Sequence, residues 1–266
     1  MDRFRFFVVI VLIAVASVSM TTCIAAPGYA PQDTADLPDV DAEDSAEADL
    51  AEVEEPDAKA CGKPMVALTF DDGPSPYTDL ILDLLERYGG RATFFVLGRN
   101  VEPWQDTIVR AVNLGNEIAN HTWTHPELTA LNNQAIKAEL QNTSDIIRRI
   151  AGVSPSFYRP PFGLVNRRVA NVSAELGYAI INWTLDTMDW HHRNADLVYN
   201  AVMDAVKEGS IVLMHDIHAT TAAAMELVIP ALIAEGYRLV TVTELLYHLY
   251  GEIEPGRVHG IPGIVR

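Results

Sequence analysis

From residue 64 onward the apolar positions follow two alternating rhythms. Short runs rich in β-branched and aromatic residues give way to longer stretches whose apolar positions recur every three to four residues. This is the pattern of β/α units around a parallel sheet. Strands are predicted at 65–70, 92–97, 116–120, 156–159, 178–182, 211–214 and 238–242, and helices at 77–88, 105–114, 133–150, 166–176, 196–207, 221–234 and 243–250. Gly89, Gly115, Gly152, Gly177, Gly209 and Gly236 each follow a helical stretch, where a left-handed C-terminal cap favours glycine. Seven such units in roughly 200 residues form one domain, as a closed or distorted barrel or as an open doubly wound sheet.

The first sixty residues follow neither rhythm. Arg3 and Arg5 precede an apolar run, 6–20, interrupted only by Ser17 and Ser19. The run is shorter than the roughly 20 residues that span a bilayer as a helix, so residues 1–30 read as an export signal. Three fates are open: cleavage after Ala30, cleavage after Ala26, or lipidation of Cys23, for which Met20-Thr21-Thr22 is a poor lead-in. Residues 31–60 follow as an acidic linker expected to be disordered and extended by self-repulsion.

Charge supports that division. The chain carries 36 Asp plus Glu against 19 Lys plus Arg, a formal −17, but 12 of the acids fall in 33–57 with no base among them. Residues 61–266 hold 23 acids and 16 bases, ordinary for a soluble domain. No basic face exists for phosphate neutralisation, so nucleic acid is excluded as a partner. Cys23 and Cys61 are the two cysteines, too few for a disulfide framework, and the hydrophobic core must carry the fold.

In parallel β/α architectures the chemistry gathers beyond the carboxyl ends of the strands. Five predicted strands run into polar clusters there. Thr69-Phe70-Asp71-Asp72-Gly73-Pro74 closes the first strand with adjacent carboxylates, which repel unless a cation separates them, although Asp-Gly-Pro alone is common turn chemistry. His121-Thr122-Trp123-Thr124-His125 follows the third, and two histidines four apart on a helical turn can share one metal ion. Together with Asp72 they form a two-histidine, one-carboxylate set suited to Zn, Fe or Co, with a hydrolytic zinc the simplest choice. Arg159-Pro160-Pro161-Phe162-Gly163 ends the fourth strand and holds the Phe162 N–H in a rigid turn, as an oxyanion donor needs. Asp186-Thr187-Met188-Asp189-Trp190 follows the fifth, and Leu213-Met214-His215-Asp216 ends the sixth. Each cluster has an ordinary structural reading; five on one rim do not.

Taken in order, these five clusters closely resemble the motifs of the polysaccharide deacetylase family, the NodB-homology domain of carbohydrate esterase family four, over about residues 62–250. The resemblance implies an irregular seven-stranded (β/α) barrel spanning 61–266. It implies Asp72, His121 and His125 as ligands of a divalent metal, commonly Zn2+ with Co2+ or another ion possible. It implies Asp71 as general base oriented by Arg159, and His215 as general acid tuned by Asp189. The Phe162 N–H becomes the oxyanion donor, at a position where the family often has Tyr, and Leu213 with Trp190 surrounds the acetyl methyl. His191, His192, His218, His248 and His259 match no functional position.

The activity so implied is hydrolysis of the N-acetyl group of N-acetylglucosamine units in peptidoglycan or chitin-like glycans, with acetate released. Two alternatives stand beside it: an O-acetyl esterase acting on xylan, and a cell-surface carbohydrate-binding pseudoenzyme. The partner expected is thus an acetylated glycan, with membrane contact only through the signal or a lipid on Cys23. The protein is expected to be exported and monomeric.

Overall fold

In the computed structural model of this 266-residue chain, residues 62–260 are described. The readings of a signal, of Cys23 and of an acidic linker lie outside the described residues. The elements in chain order are β1 (Met65–Asp71), α1 (Thr78–Tyr88), β2 (Thr93–Val96), the one-turn α2 (Gly98–Val101), α3 (Gln105–Asn113), β3 (Glu117–Asn120), α4 (Asn133–Ala151), β4 (Phe157–Tyr158) and α5 (Arg167–Glu175). They continue through β5 (Ala179–Ile181), β6 (Leu185–Asp186), the one-turn α6 (Asp189–His192), α7 (Ala195–Ala205), β7 (Ser210–His215), α8 (Ala219–Ala234), β8 (Arg238–Leu239), α9 (Val242–Tyr250) and β9 (Val258–His259).

All strand pairs are parallel. The sheet runs β6-β7-β1-β2-β3-β4-β5-β9, with β8 pairing the start of β1. Among the described residues no ladder joins β6 to β9, so the fold is an irregular, incompletely closed (β/α) barrel. Among the described residues nine strands stand where seven are predicted. The extra two, β6 and β9, are two residues long, too short for any periodicity to register. The predicted strand at 238–242 is curtailed because Thr241 caps α9. Its side chain accepts from the Glu244 N–H, and the Glu244 carboxylate accepts from the Thr241 N–H. Gly89 and Gly152 cap α1 and α4 in left-handed conformations, as anticipated.

The two faces of the sheet bury different cores. Val66, Leu68 and Phe70 of β1 pack outward with Ile81 and Leu85 of α1 and with Met225 and Val228 of α8. Ala67 faces inward with Phe95, Ala119, Phe157, Ile181 and Ile211, over Val242, Leu245 and Leu246 of α9, which plugs the barrel floor. The two-residue period then carries Thr69 and Asp71 onto the inner face above Ala67. Register completes the arrangement, since Thr69 pairs with Leu213 and Asp71 with His215. The same alternation that fills the core therefore delivers a carboxylate and an imidazole side by side to the upper rim.

Candidate active site and metal centre

Asp71, 3% exposed, ends β1 against a wholly buried Arg159. Arg159 Nη1 donates to Asp71 Oδ1 at 2.7 Å and to Thr69 Oγ1 at 2.8 Å. Its Nε donates to the Ile181 carbonyl and its Nη2 to the Asn182 carbonyl, while the guanidinium lies 4.0 Å over the Phe95 ring. Every edge of the planar fork is engaged, which a lysine could not reproduce. Burial pushes the Asp71 carboxyl above its ordinary range, and the charge and hydrogen bond of Arg159 oppose this without cancelling it.

Asp72 has φ 73°, in the left-handed region. Backbone of this kind costs a non-glycine residue energy and recurs at functional sites. Asp72 Oδ1 lies 3.5 Å from both His121 Nε2 and His125 Nε2, whereas Asp71 Oδ2 lies 3.6 Å from His121 Nε2. The sequence expectation of a helical turn at 121–125 fails. The segment is an irregular loop in which Thr122 (φ 70°) and His125 (φ 64°) are left-handed. The two imidazoles nonetheless meet, with ring centroids 5.0 Å apart.

The donor set fits a divalent metal on three counts. One ligand atom from each of Asp72, His121 and His125 lies within 4.8 Å of the others. Asp72 Oδ1 is buried with no hydrogen-bond partner, a cost that a cation relieves. His121 Nδ1 donates to the Arg159 carbonyl at 2.8 Å, which fixes the tautomer and leaves the Nε2 lone pair to a ligand. Burial takes the His121 pKa down to about 3, so the ring is neutral, as a metal ligand must be.

The acid side of the site is built on Asp189, at the start of α6 and wholly buried. Its Oδ1 accepts from His215 Nδ1 and the Trp190 N–H, each at 2.8 Å. Its Oδ2 accepts from the His215 N–H and Thr221 Oγ1, each at 2.7 Å. Burial alone lowers the His215 pKa, but the hydrogen bond and charge of Asp189, aided by Asp71 and Asp72, raise it to about 9. The Asp189 carboxyl is held below its ordinary range; burial works against this and the His215 contacts prevail.

Phe162 sits in the tight turn Pro161–Gly163 with φ 61°, and its side chain is 62% exposed, edge-on to His125 at 4.9 Å. Leu213 is buried on the inner face, two residues below His215, whereas Trp190 is half exposed at the rim. All ten candidate residues thus lie on the one rim, and most are joined by the contacts above.

Sequence reasoning missed several supporting side chains. Thr221 had no local signal, since only the fold brings it to Asp189. Asp216 lies in the last motif but was given no role. Its Oδ2 accepts from Thr78 Oγ1 at 2.5 Å, and it presses so closely on the Asp72-Gly73 turn that any side chain at Gly73 would overlap it. His218, read as ordinary, is 6% exposed with its ring 5.9 Å from that of His215.

A parallel β/α barrel with Asp–Arg and His–Asp pairs on one rim beside a two-histidine, one-aspartate cluster is the class of molecule that fold and site define. Residues 58–181 match the family model described as polysaccharide deacetylase. The peptidoglycan-N-acetylmuramic acid deacetylase PdaC of Bacillus subtilis is 41% identical over 182 residues, which is 68% of this chain and 38% of that protein. Its solved structure superposes with TM-score 0.66 at 41% identity, covering 69% of this chain and 90% of that one. The peptidoglycan-N-acetylglucosamine deacetylase PgdA of Listeria monocytogenes is 42% identical over 195 residues, covering 73% of this chain and 40% of the relative. A family 4 acetyl xylan esterase from Clostridium thermocellum, solved in complex with a cobalt ion, superposes with TM-score 0.69 at 34% identity, covering 74% of this chain and 99% of that one. The chain belongs to the polysaccharide deacetylase family, and it spans about two-fifths of the length of PdaC and PgdA.

Proposed function

We propose that this protein is a metal-dependent polysaccharide deacetylase that hydrolyses the N-acetyl group of N-acetylglucosamine units in peptidoglycan or chitin-like glycans. The observation that carries the reading is the pairing of a carboxylate and an imidazole on neighbouring strands, Asp71 fixed by Arg159 and His215 fixed by Asp189, beside the Asp72, His121, His125 cluster. Amide hydrolysis needs a base and an acid in one site, with proton affinities set apart by their surroundings.

Asp72, His121 and His125 would hold the metal, with zinc our assignment. A divalent ion held there would polarise an acyl oxygen and bring the pKa of a water to about 7. Asp71, with Oδ1 engaged by Arg159, uses Oδ2 to take the proton from the attacking water. The tetrahedral oxyanion that follows is met by the Phe162 N–H, preset in its tight turn. His215, cationic at neutral pH, gives its proton to the departing sugar nitrogen, and Asp189 steadies the imidazolium before that step. Leu213 and Trp190 flank the acetyl methyl.

An O-acetyl esterase is the second reading, favoured by the similarity to an acetyl xylan esterase, because an ester leaves more easily from the same site. Acetate release from peptidoglycan, chito-oligosaccharide and acetylated xylan separates the two. N-deacetylation of the first two substrates supports the proposal, and release from xylan alone replaces it. We further propose that the chain is exported as a monomer, with Cys23 carrying a lipid or lost with the signal. A Cys23→Ala variant that moves the protein from the membrane fraction to the soluble fraction would assign the lipid.

A further inference from the structure

Each of the four amides after His121 in the loop between the two histidines donates to a side-chain oxygen, and one of the acceptors comes from a distant helix. The Thr122 N–H is taken by Asn120 Oδ1 and the His125 N–H by Thr122 Oγ1. The Thr122 and Trp123 carbonyls accept from the Gly98 and Arg99 N–H groups at the start of α2. The remaining two amides, Trp123 N–H and Thr124 N–H, both donate to Glu139 Oε2, at 2.7 and 2.8 Å. Glu139 Oε1 accepts in addition from Thr124 Oγ1 at 2.8 Å. A single half-buried carboxylate on α4 thus receives three hydrogen bonds from the segment between His121 and His125.

That segment does not hold its shape by local preference. Thr122 and His125 both have left-handed backbone, which L side chains adopt only when surroundings over-determine it. An anionic acceptor for two successive N–H groups supplies that determination, because hydrogen bonds to a charged group are roughly twice as strong as neutral ones. Glu139 is itself held in place. Its carbonyl accepts from Thr143 Oγ1 one turn on, and α4 is anchored by Ile136, Leu140 and Ile147, which are wholly buried. Gly98 lets α2 and α4 close over the loop, since a Cβ there would lie 2.4 Å from the Trp123 ring and 2.5 Å from Thr143 Oγ1.

We propose that Glu139 is a positioning residue for the metal centre, setting the separation and orientation of His121 and His125 through the Trp123 and Thr124 amides. The inference rests on the reading of Asp72, His121 and His125 as the metal site. Glu139 touches neither ion nor substrate; it acts through the loop. Outer partners of this kind change metal affinity by about 10–100-fold.

The test is zinc affinity of the purified full chain, measured by competition with a chromogenic chelator, alongside the melting temperature of the metal-free protein. Glu139→Ala should weaken zinc binding about 10–100-fold. Glu139→Gln keeps an oxygen for both amides but loses the charge, so it should weaken zinc binding far less than Glu139→Ala. Thr124→Ala, which removes the hydroxyl and a methyl group but leaves both amides, should fall between them. Should Glu139→Ala fail to fold, Thr124→Ala and Glu139→Gln still order the series. Equal affinity in wild type and Glu139→Ala, or in wild type and Thr124→Ala where Glu139→Ala does not fold, overturns the proposal. Glu139→Gln falling as far as Glu139→Ala overturns it too. A wild-type chain that binds no zinc, with His125→Ala indistinguishable from it, overturns instead the metal-site reading beneath it.

Discussion

Most site residues could be named from the chain because each lies at or just beyond the carboxyl end of a strand, yet their conformations could not. Asp72, Thr122, His125 and Phe162 all have positive φ, and no periodicity signals such a residue when it is not glycine. The helical expectation for His121 to His125 failed for that reason, although Asp72, His121 and His125 do come together. Supporting partners such as Glu139 and Thr221 were invisible because they are distant in sequence and lie in otherwise ordinary helices. At this scale His125→Ala should lose metal and acetate release together, by more than the roughly 10–100-fold of an outer partner; metal retention by that variant contradicts the ligand assignment. Arg159→Ala leaves Asp71 buried without its cation and should cost about 3–5 kcal/mol of stability, read by denaturant unfolding. His215 with its pKa raised to about 9 is protonated below that value and loses its proton above it. Activity should therefore fall on an alkaline limb at or below about pH 9, since a bound cation acts against the proton. In Asp189→Asn the imidazolium loses its partner, so the limb should move toward acid; an unmoved limb in a pH–rate profile removes His215 as the acid.

At the scale of elements, the long periodic helices and the central strands were legible, and the edges were not. Strands β6 and β9 contribute two residues each, so the closing margins of the barrel depend on tertiary contacts that composition does not encode. The 238–242 run shows the opposite conflict: its apolar residues suit a strand, but the Thr241 and Glu244 capping box ends it and starts α9. That helix is the floor of the barrel. Glu117 accepts from Thr93 Oγ1 and the Thr243 N–H, and Arg91 grips Glu244 with two hydrogen bonds, so the plug is latched to β2 and β3 by polar contacts as well as by Leu245. Leu245→Ala, at a wholly buried position, should destabilise by about 2–5 kcal/mol while leaving the zinc affinity of the remaining folded protein unchanged. A matching loss of zinc affinity would mean that floor and rim are coupled.

For the whole molecule, the candidate site lies at the C-terminal ends of the strands and the α9 plug at the opposite end. The candidate residues gather on one rim because inner-face alternation fixes Asp71 and strand register fixes His215 beside it. Charge is segregated as well, with the densest run of acids in 33–57 and a mildly acidic remainder, which fits a substrate that needs no electrostatic steering. The most direct measurement is acetate release from peptidoglycan and chito-oligosaccharide by zinc-loaded wild type beside Asp71→Asn and His215→Ala. The account predicts acetate from wild type and its loss by orders of magnitude in both variants, with zinc still bound to His215→Ala. A wild type with verified bound metal that releases no acetate from either glycan or from acetylated xylan contradicts it.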